Sequence, residues 1–262
     1  MPQPPTLIPA DGASLYLGLL KRSLTNTLYE AEPDADAENQ YRYVHEFTAH
    51  YIQGPAVSML PMARMDNIID CIDRVLADGV PGDLIETGVW RGGATILMRA
   101  ALRVRGVTDR KVWVADSFEG LPEPDPERFP KEAKAHAGPV FTKGFKHFAA
   151  GLEEVQANFR AYEQLDDQVV FLPGWFSDTL PTAPIGRLAI ARLDGDYYSS
   201  TMDGLTNLYD KVSPGGFVII DDYGEDMWTE CRRAVDEFRA ARSIAEPMTA
   251  VDSKCSYWRK PA

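Results

Sequence analysis

Five apolar runs of strand length alternate with helical spans between residues 83 and 222, and this alternation constrains the fold more than any other feature. The runs are DLIETG, KVWVADS, QVVFLPG, RLAIARLD and GGFVIIDD. Segments such as GGATILMRAALRVRG lie between them and read as helices. Parallel strands need crossovers of about a dozen residues, which the intervening helices supply. The expected class is therefore α/β, a mostly parallel Rossmann-like sheet with helices on both faces. The strands are expected to end at 87, 115, 172, 194 and 222, with most of the polar residues of interest at those ends. Ligands of open α/β sheets bind just beyond the C-terminal ends of the strands.

The flanking segments complete the expected layout. Met65, Ile68, Ile69, Ile72, Val75 and Leu76 form one stripe at helical spacing, closed by Gly79 and Pro81. A second helical spacing runs from Ala13 to Glu30, and residues 31–41 read as an acidic loop. Residues 1–80 are thus expected to form an N-terminal helical extension, with a homodimer contact there, and 81–262 the main domain. Residues 118–145 are rich in Pro, Gly and charge, which predicts a loop acting as a lid. Helices are expected over 148–162 and 200–211. A last helix over 226–242 carries Trp228, Cys231, Val235 and Phe238 on one face. The tail EPMTAVDSKCSYWRK predicts a closing hairpin.

The formal charge of −12 makes nucleic acid and anionic lipid poor partners. Cys71, Cys231 and Cys255 are far apart and form no CxxC, so a reducing, cytoplasmic setting is expected. The stretch MPQPPTLIPADG has neither a basic region nor a long apolar run, so no export signal is expected. No run of about 20 apolar residues is present to span a membrane.

The acids carry the strongest chemical signal. LDGDYYSS places Asp194 at one strand end and Asp196 two residues on, while IDDY places Asp221 and Asp222 at the next. Two unit charges about 4 Å apart repel by about 4 kcal/mol at an effective dielectric of 20. Neighbouring parallel strands lie about 4.8 Å apart, so Asp194, Asp221 and Asp222 can converge if their two strands are neighbours. Hard oxygen ligands of this kind favour Mg²⁺. Asp196 is then free to act as a general base. Helix capping accounts for one or two such acids but not four. A haloacid-dehalogenase-type phosphatase also uses DxD and a later acidic pair, but there DxD lies on the first strand. Here only one helix fits between Asp196 and Asp221.

ETGVWRGG links the first strand to a helix, and Gly88, Gly92 and Gly93 let the backbone approach a ligand. The spacing is not the GxGxxG dinucleotide fingerprint. Asp116 ends the second strand, where an acid can bond a ribose diol or cap a helix. Gly174, Trp175 and Phe176 follow the third strand and suit a purine ring, or plain core packing. The four histidines, His45, His50, His136 and His147, have no metal spacing, and only His136 falls in the long loop.

Several long runs resemble the TylF-type (macrocin) O-methyltransferases of antibiotic deoxysugars. They include DGVPGDLIETGVWRGGA, VWVADSFEGLP, LDDQVVFLPGWFSDTLPTAP and LDGDYYSSTMDGLTNLYDKVSPGGFVIIDDY. The resemblance implies a class I methyltransferase fold using S-adenosylmethionine and Mg²⁺. It implies that Asp194, Asp221 and Asp222 bind the metal and that Asp196 is the general base. It also implies a cofactor site lined by Glu86, Thr87, Gly88, Arg91, Gly93, Asp116, Ser117, Gly174, Trp175, Phe176 and Asp194. The partner would be a small glycosylated metabolite.

The segment VSMLPMARMDN departs from the family pattern, which makes Met59 and Arg64 candidates for the acceptor border. The centre of loop 118–145 and DYGEDMWTECRR depart as well. A catechol-like diol would present similar vicinal oxygens and stands as the alternative acceptor. A nicotinamide oxidoreductase is disfavoured by the missing fingerprint, and a non-catalytic nucleotide module by the presence of Asp196.

Overall fold

The computed structural model describes residues 11–29, 50–51, 53–138, 149–224 and 229–261. The expectations for the acidic loop 31–41, for His45, His147 and Trp228, and for the end of loop 118–145 lie outside the described residues. A seven-stranded sheet has the order β3-β2-β1-β4-β5-β7-β6. Its strands are β1 (Asp83–Thr87), β2 (Val112–Asp116), β3 (Val169–Pro173), β4 (Leu188–Leu193), β5 (Val212–Ile220), β6 (Thr249–Ala250) and β7 (Ser256–Arg259). The first five are parallel to one another, while β7 pairs antiparallel with β5 and with β6. The expected closing hairpin is therefore present.

The sheet alternation distributes the core to two faces. Leu84, Val114, Ile190 and Ile219 pack in one cluster with α1 (Gly12–Leu24), α2 (Met62–Ala77), α3 (Gly93–Val104) and the α-helix Leu152–Ala161. Ile85, Ala115, Ala191 and Ile220 pack in the other, against the helices Tyr198–Leu208 and Thr229–Ala241 and Trp258 of β7. In chain order the remaining helices are α4 (Pro130–His136), α5 (Leu152–Ala161), α6 (Phe176–Thr179), α7 (Tyr198–Leu208) and α8 (Thr229–Ala241). β4 is buried along its whole length, as expected of a central parallel strand covered on both faces.

Three elements differ from their expected form. The first helix starts at Gly12, capped by Asp11, whose carboxylate accepts from the Ser14 N–H at 2.7 Å, and stops at Leu24 rather than near residue 30. Thr25 ends it, with its hydroxyl turned back to the Lys21 carbonyl at 2.9 Å. The long loop contains α4, started by Pro130 in its first turn, where the missing N–H costs nothing. β5 begins at Val212, earlier than expected, because Val212 already pairs with Leu188 of β4; Gly215 N–H also donates to Lys260 O at 2.9 Å.

Within the described residues no helix is long and apolar enough to cross a membrane. Cys71, Cys231 and Cys255 are free and buried.

Candidate active site

β4 lies between β1 and β5, so the ends of these three strands meet. Backbone bonds hold the junction: Asp194 N–H donates to Thr87 O at 2.9 Å, and Asp221 N–H to Leu193 O at 3.0 Å. Gly88 is indispensable here. Its φ is +82°, and a Cβ would fall 1.7 Å from the Asp194 carbonyl oxygen. The glycine thus lets the β1 turn lie directly on the acidic turn.

Asp194, Asp221 and Asp222 offer carboxylate oxygens that all lie within 4.8 Å of one another. Asp222 Oδ2 is buried and has no hydrogen-bond partner among the described residues. This donor set suits a hard divalent cation. Asp196 follows in a turn, with φ +56° and Tyr197 N–H bonded to Gly195 O at 2.6 Å. Its charge acts on Asp222, whose carboxyl is raised well above the usual range by burial and then by Asp196, Asp194 and Asp221.

Arg192 lies at the heart of this cluster, only 1% exposed. Its guanidinium donates to Glu86, to Asp221, and at 3.0 Å to Asp194. Arg64 of α2 reaches the same Asp221 from the opposite side at 2.6 Å and also clamps Asp252 at 2.6 and 3.2 Å. Both oxygens of Asp221 thus accept from buried guanidiniums. Arg64, a candidate for the acceptor border, ties α2 and the hairpin turn to the acids. Met59 is half-buried nearby in sequence and joins no bond in this network.

Two arginines do not balance the group. Burial pushes the Glu86 carboxyl up to about 8 against the pull of Arg192, and Asp194 up to about 6. Glu86 Oε2 also lacks a partner among the described residues. The site is therefore short of positive charge.

The other rim, at the ends of β1, β2 and β3, has its polar atoms bonded to backbone groups. Asp116 accepts from the Val89 N–H and the Phe118 N–H, both at 2.7 Å. Burial pushes its carboxyl up while these bonds pull it back. Ser117 donates to Gly120 O at 2.8 Å, and Gly174 N–H to Asp116 O at 2.9 Å. Trp175 is 37% exposed beside them, while Phe176 packs on the core.

Two residues expected to line the cofactor have structural partners. Arg91 donates to the carbonyls of Tyr51, Gly54 and Ala56 and pairs with Glu154 at 3.2 Å. Gly93 lies against the segment before α2: its N–H bonds Val57 O at 2.9 Å, and a Cβ would meet that oxygen at 2.5 Å.

The family model of the macrocin-O-methyltransferases (TylF) matches residues 52–260. The chain belongs to this family. It is an O-methyltransferase. It is 48% identical to the 8-demethyl-8-(2,3-dimethoxy-alpha-L-rhamnosyl)-tetracenomycin-C 4'-O-methyltransferase of Streptomyces olivaceus, over 96% of this chain and 95% of that one. It is 46% identical to the demethyldecarbamoylnovobiocin O-methyltransferase of Streptomyces niveus, over 95% and 94%. It is 44% identical to the mycinamicin III 3''-O-methyltransferase of Micromonospora griseorubida, over 97% and 99%. The solved structure of the O-methyltransferase NovP matches with a TM-score of 0.82 at 45% identity, covering 95% of this chain and 100% of that one. An O-methyltransferase from Bacillus cereus in complex with SAH, at 15% identity and a TM-score of 0.51, shares the fold.

Arg192 was not singled out from the sequence, although a lone arginine inside the apolar run RLAIARLD is a readable signal. A charge on a fully buried strand needs acids at its own height, and Asp194 lies two residues on, on the same face.

Proposed function

We propose that this protein moves a methyl group from S-adenosylmethionine to a hydroxyl of a deoxysugar on a secondary metabolite, with Mg²⁺ or a similar ion held by Asp194, Asp221 and Asp222. The observation that carries the metal assignment is the unpartnered, buried Asp222 Oδ2 within a converging acidic set. The sugar assignment is supported by relatives that share nearly the whole chain and are named for rhamnosyl-tetracenomycin, novobiocin and mycinamicin acceptors. The donor assignment is supported by family membership and by the rim of Gly88, Asp116, Ser117 and Trp175 beside the acids.

When bound, the cofactor supplies an electrophilic methyl group and the cation supplies a Lewis acid that makes an acceptor hydroxyl more acidic. The protein does the rest. Arg192 and Arg64 fix the Asp221 carboxylate from both sides. Asp116 holds the β1 turn to β2 through the Val89 N–H, which keeps the floor under the cofactor in place. Gly88 brings the two rims into contact, and Trp175 offers an exposed ring for a flat ligand. Asp196 receives the hydroxyl proton as the acceptor oxygen takes the methyl group. Holding the two reactants in line accounts for much of the acceleration.

The deciding experiment is calorimetric titration of S-adenosylhomocysteine with Mg²⁺ and again with EDTA, followed by turnover on rhamnosylated acceptors. Micromolar binding in both conditions, with turnover only when Mg²⁺ is present, is the expected result. Absence of binding in both removes the donor assignment, and full turnover in EDTA removes the metal.

A further inference from the structure

α7 begins immediately after Asp196 and lacks the usual means of satisfying its first N–H groups. Its cap residue, Tyr197, makes no side-chain capping bond, and its first turn holds no acid. The missing acceptor comes from 66 residues away. Glu132 of α4 accepts the Tyr198 N–H at 2.6 Å. A carboxylate at this place also meets the positive end of the helix dipole.

Glu132 is built in rather than resting on the surface. It is 4% exposed, and its second oxygen, Oε2, is buried with no hydrogen-bond partner among the described residues. One turn further along α4, His136 Nδ1 lies 2.8 Å from the Tyr197 hydroxyl. The Phe129 and Tyr198 rings stack at 5.1 Å, and the Arg233 guanidinium covers Tyr198 at 4.5 Å. α4 therefore grips the two residues that follow Asp196, one through its backbone and the other through its hydroxyl.

The grip matters because the Asp196 turn is strained. Asp196 has φ +56° in a three-residue turn closed by the Tyr197 N–H to Gly195 O bond. A non-glycine residue holds that conformation only when its surroundings over-determine it. We propose that Glu132 is a positioning residue for the reaction: by accepting the Tyr198 N–H it holds the strained turn that aims Asp196 at the acidic cluster. The proposal rests on Asp196 being the general base. α4 is then a brace of the catalytic turn as well as part of the loop that borders the site.

The test compares Glu132→Ala with Glu132→Gln, which keeps an acceptor oxygen. Amide exchange of the full chain bound to S-adenosylhomocysteine is read by mass spectrometry for residues 196–201. Turnover is read with mycinamicin III and demethyldecarbamoylnovobiocin as acceptor probes. Glu132→Ala is expected to speed exchange in that segment and to lower kcat at least tenfold, with KM for S-adenosylmethionine within twofold of the parent. Glu132→Gln is expected to restore both readouts to within threefold. Unchanged exchange in Glu132→Ala overturns the proposal, whether or not either probe turns over. So does a loss that falls on cofactor KM instead of kcat, or one that Glu132→Gln fails to relieve. If the alanine variant does not fold, Glu132→Asp, one methylene short of the bond, takes its place with the same expected readings. Asp196→Asn, run alongside, separates the two assignments. If it keeps full turnover, the base is wrong, while the exchange data still report on the brace.

Discussion

The two rims of the site are built on opposite principles. At the ends of β1–β3, Asp116 and Ser117 have their polar atoms matched by backbone groups of the same loops. Around Arg192, at the ends of β4 and β5 and the neighbouring Glu86 of β1, Glu86 and Asp222 keep buried oxygens without partners among the described residues, and Glu86, Asp194 and Asp222 are all pushed toward protonation by burial. Satisfied polar groups fix a shape; an unsatisfied buried charge is costly until something joins it. The first rim is thus a finished mould, and the second a socket short of positive charge.

The largest expected effect separates proton transfer from both rims. Asp196→Asn should lower kcat by about 10²–10⁴-fold, the usual contribution of a general base. Binding of S-adenosylhomocysteine, measured by calorimetry, should be unchanged, since Asp196 belongs to neither the mould nor the socket. Retained turnover would show that the proton leaves by another route.

The next effect breaks the seam between the rims. Gly88→Ala forces φ +82° on a residue with a Cβ and drives that carbon to 1.7 Å from the Asp194 carbonyl. A loss of about 3 kcal/mol or more is expected in urea unfolding, together with weakened cofactor and cation binding. A variant of parent-like stability would mean that the two turns can part without cost.

How much of this was legible in the sequence depends on the distance over which partners act. Asp194, Asp221 and Asp222 could be placed together on the condition that the fourth and fifth strands are neighbours, and β4 does pair with β5. The class of fold followed from the same pattern. Arg64 was visible only as a candidate for the acceptor border, because its ion-pair partners, Asp221 and Asp252, are 157 and 188 residues away. Glu132 was hidden for a similar reason: within a Pro- and Gly-rich stretch nothing marks one acid as the cap of a distant helix. Gly93 shows the converse limit. A glycine needed for close approach reads the same whether a ligand or Val57 approaches it.

One substitution applied to both rims should have opposite signs. Asp222→Asn removes a buried charge with an unpartnered oxygen, so the protein in EDTA should gain stability, by about 1 kcal/mol or more. Its affinity for Mg²⁺ should fall about 100-fold in calorimetry. Asp116→Asn puts an NH₂ group against either the Val89 or the Phe118 N–H. One of two backbone donors then loses its acceptor, and a loss of about 1 kcal/mol is expected, with Mg²⁺ affinity unchanged. Equal signs in thermal unfolding would erase the distinction between mould and socket.

The smallest effect is a slope rather than a loss. In the cation-free protein Glu86 titrates at about 8 against an ordinary 4.5, and Asp194 at about 6 against 3.8. Raised values mean that the folded state holds protons that the unfolded chain releases. Stability from these groups is complete below about pH 4 and is lost as pH rises toward 8, at no more than about 1.4 kcal/mol per pH unit for each acid. A divalent cation bound by Asp194, Asp221 and Asp222 would favour the ionised forms and should flatten the curve. Urea unfolding between pH 6 and pH 8 should therefore show a decline in EDTA that Mg²⁺ largely removes. The Glu86→Gln variant should show a shallower decline even in EDTA, since the Glu86 window spans that range. If the slope in EDTA is flat, Arg192 and Arg64 already balance the cluster, and the acids have no need of a cation to stay ionised at neutral pH.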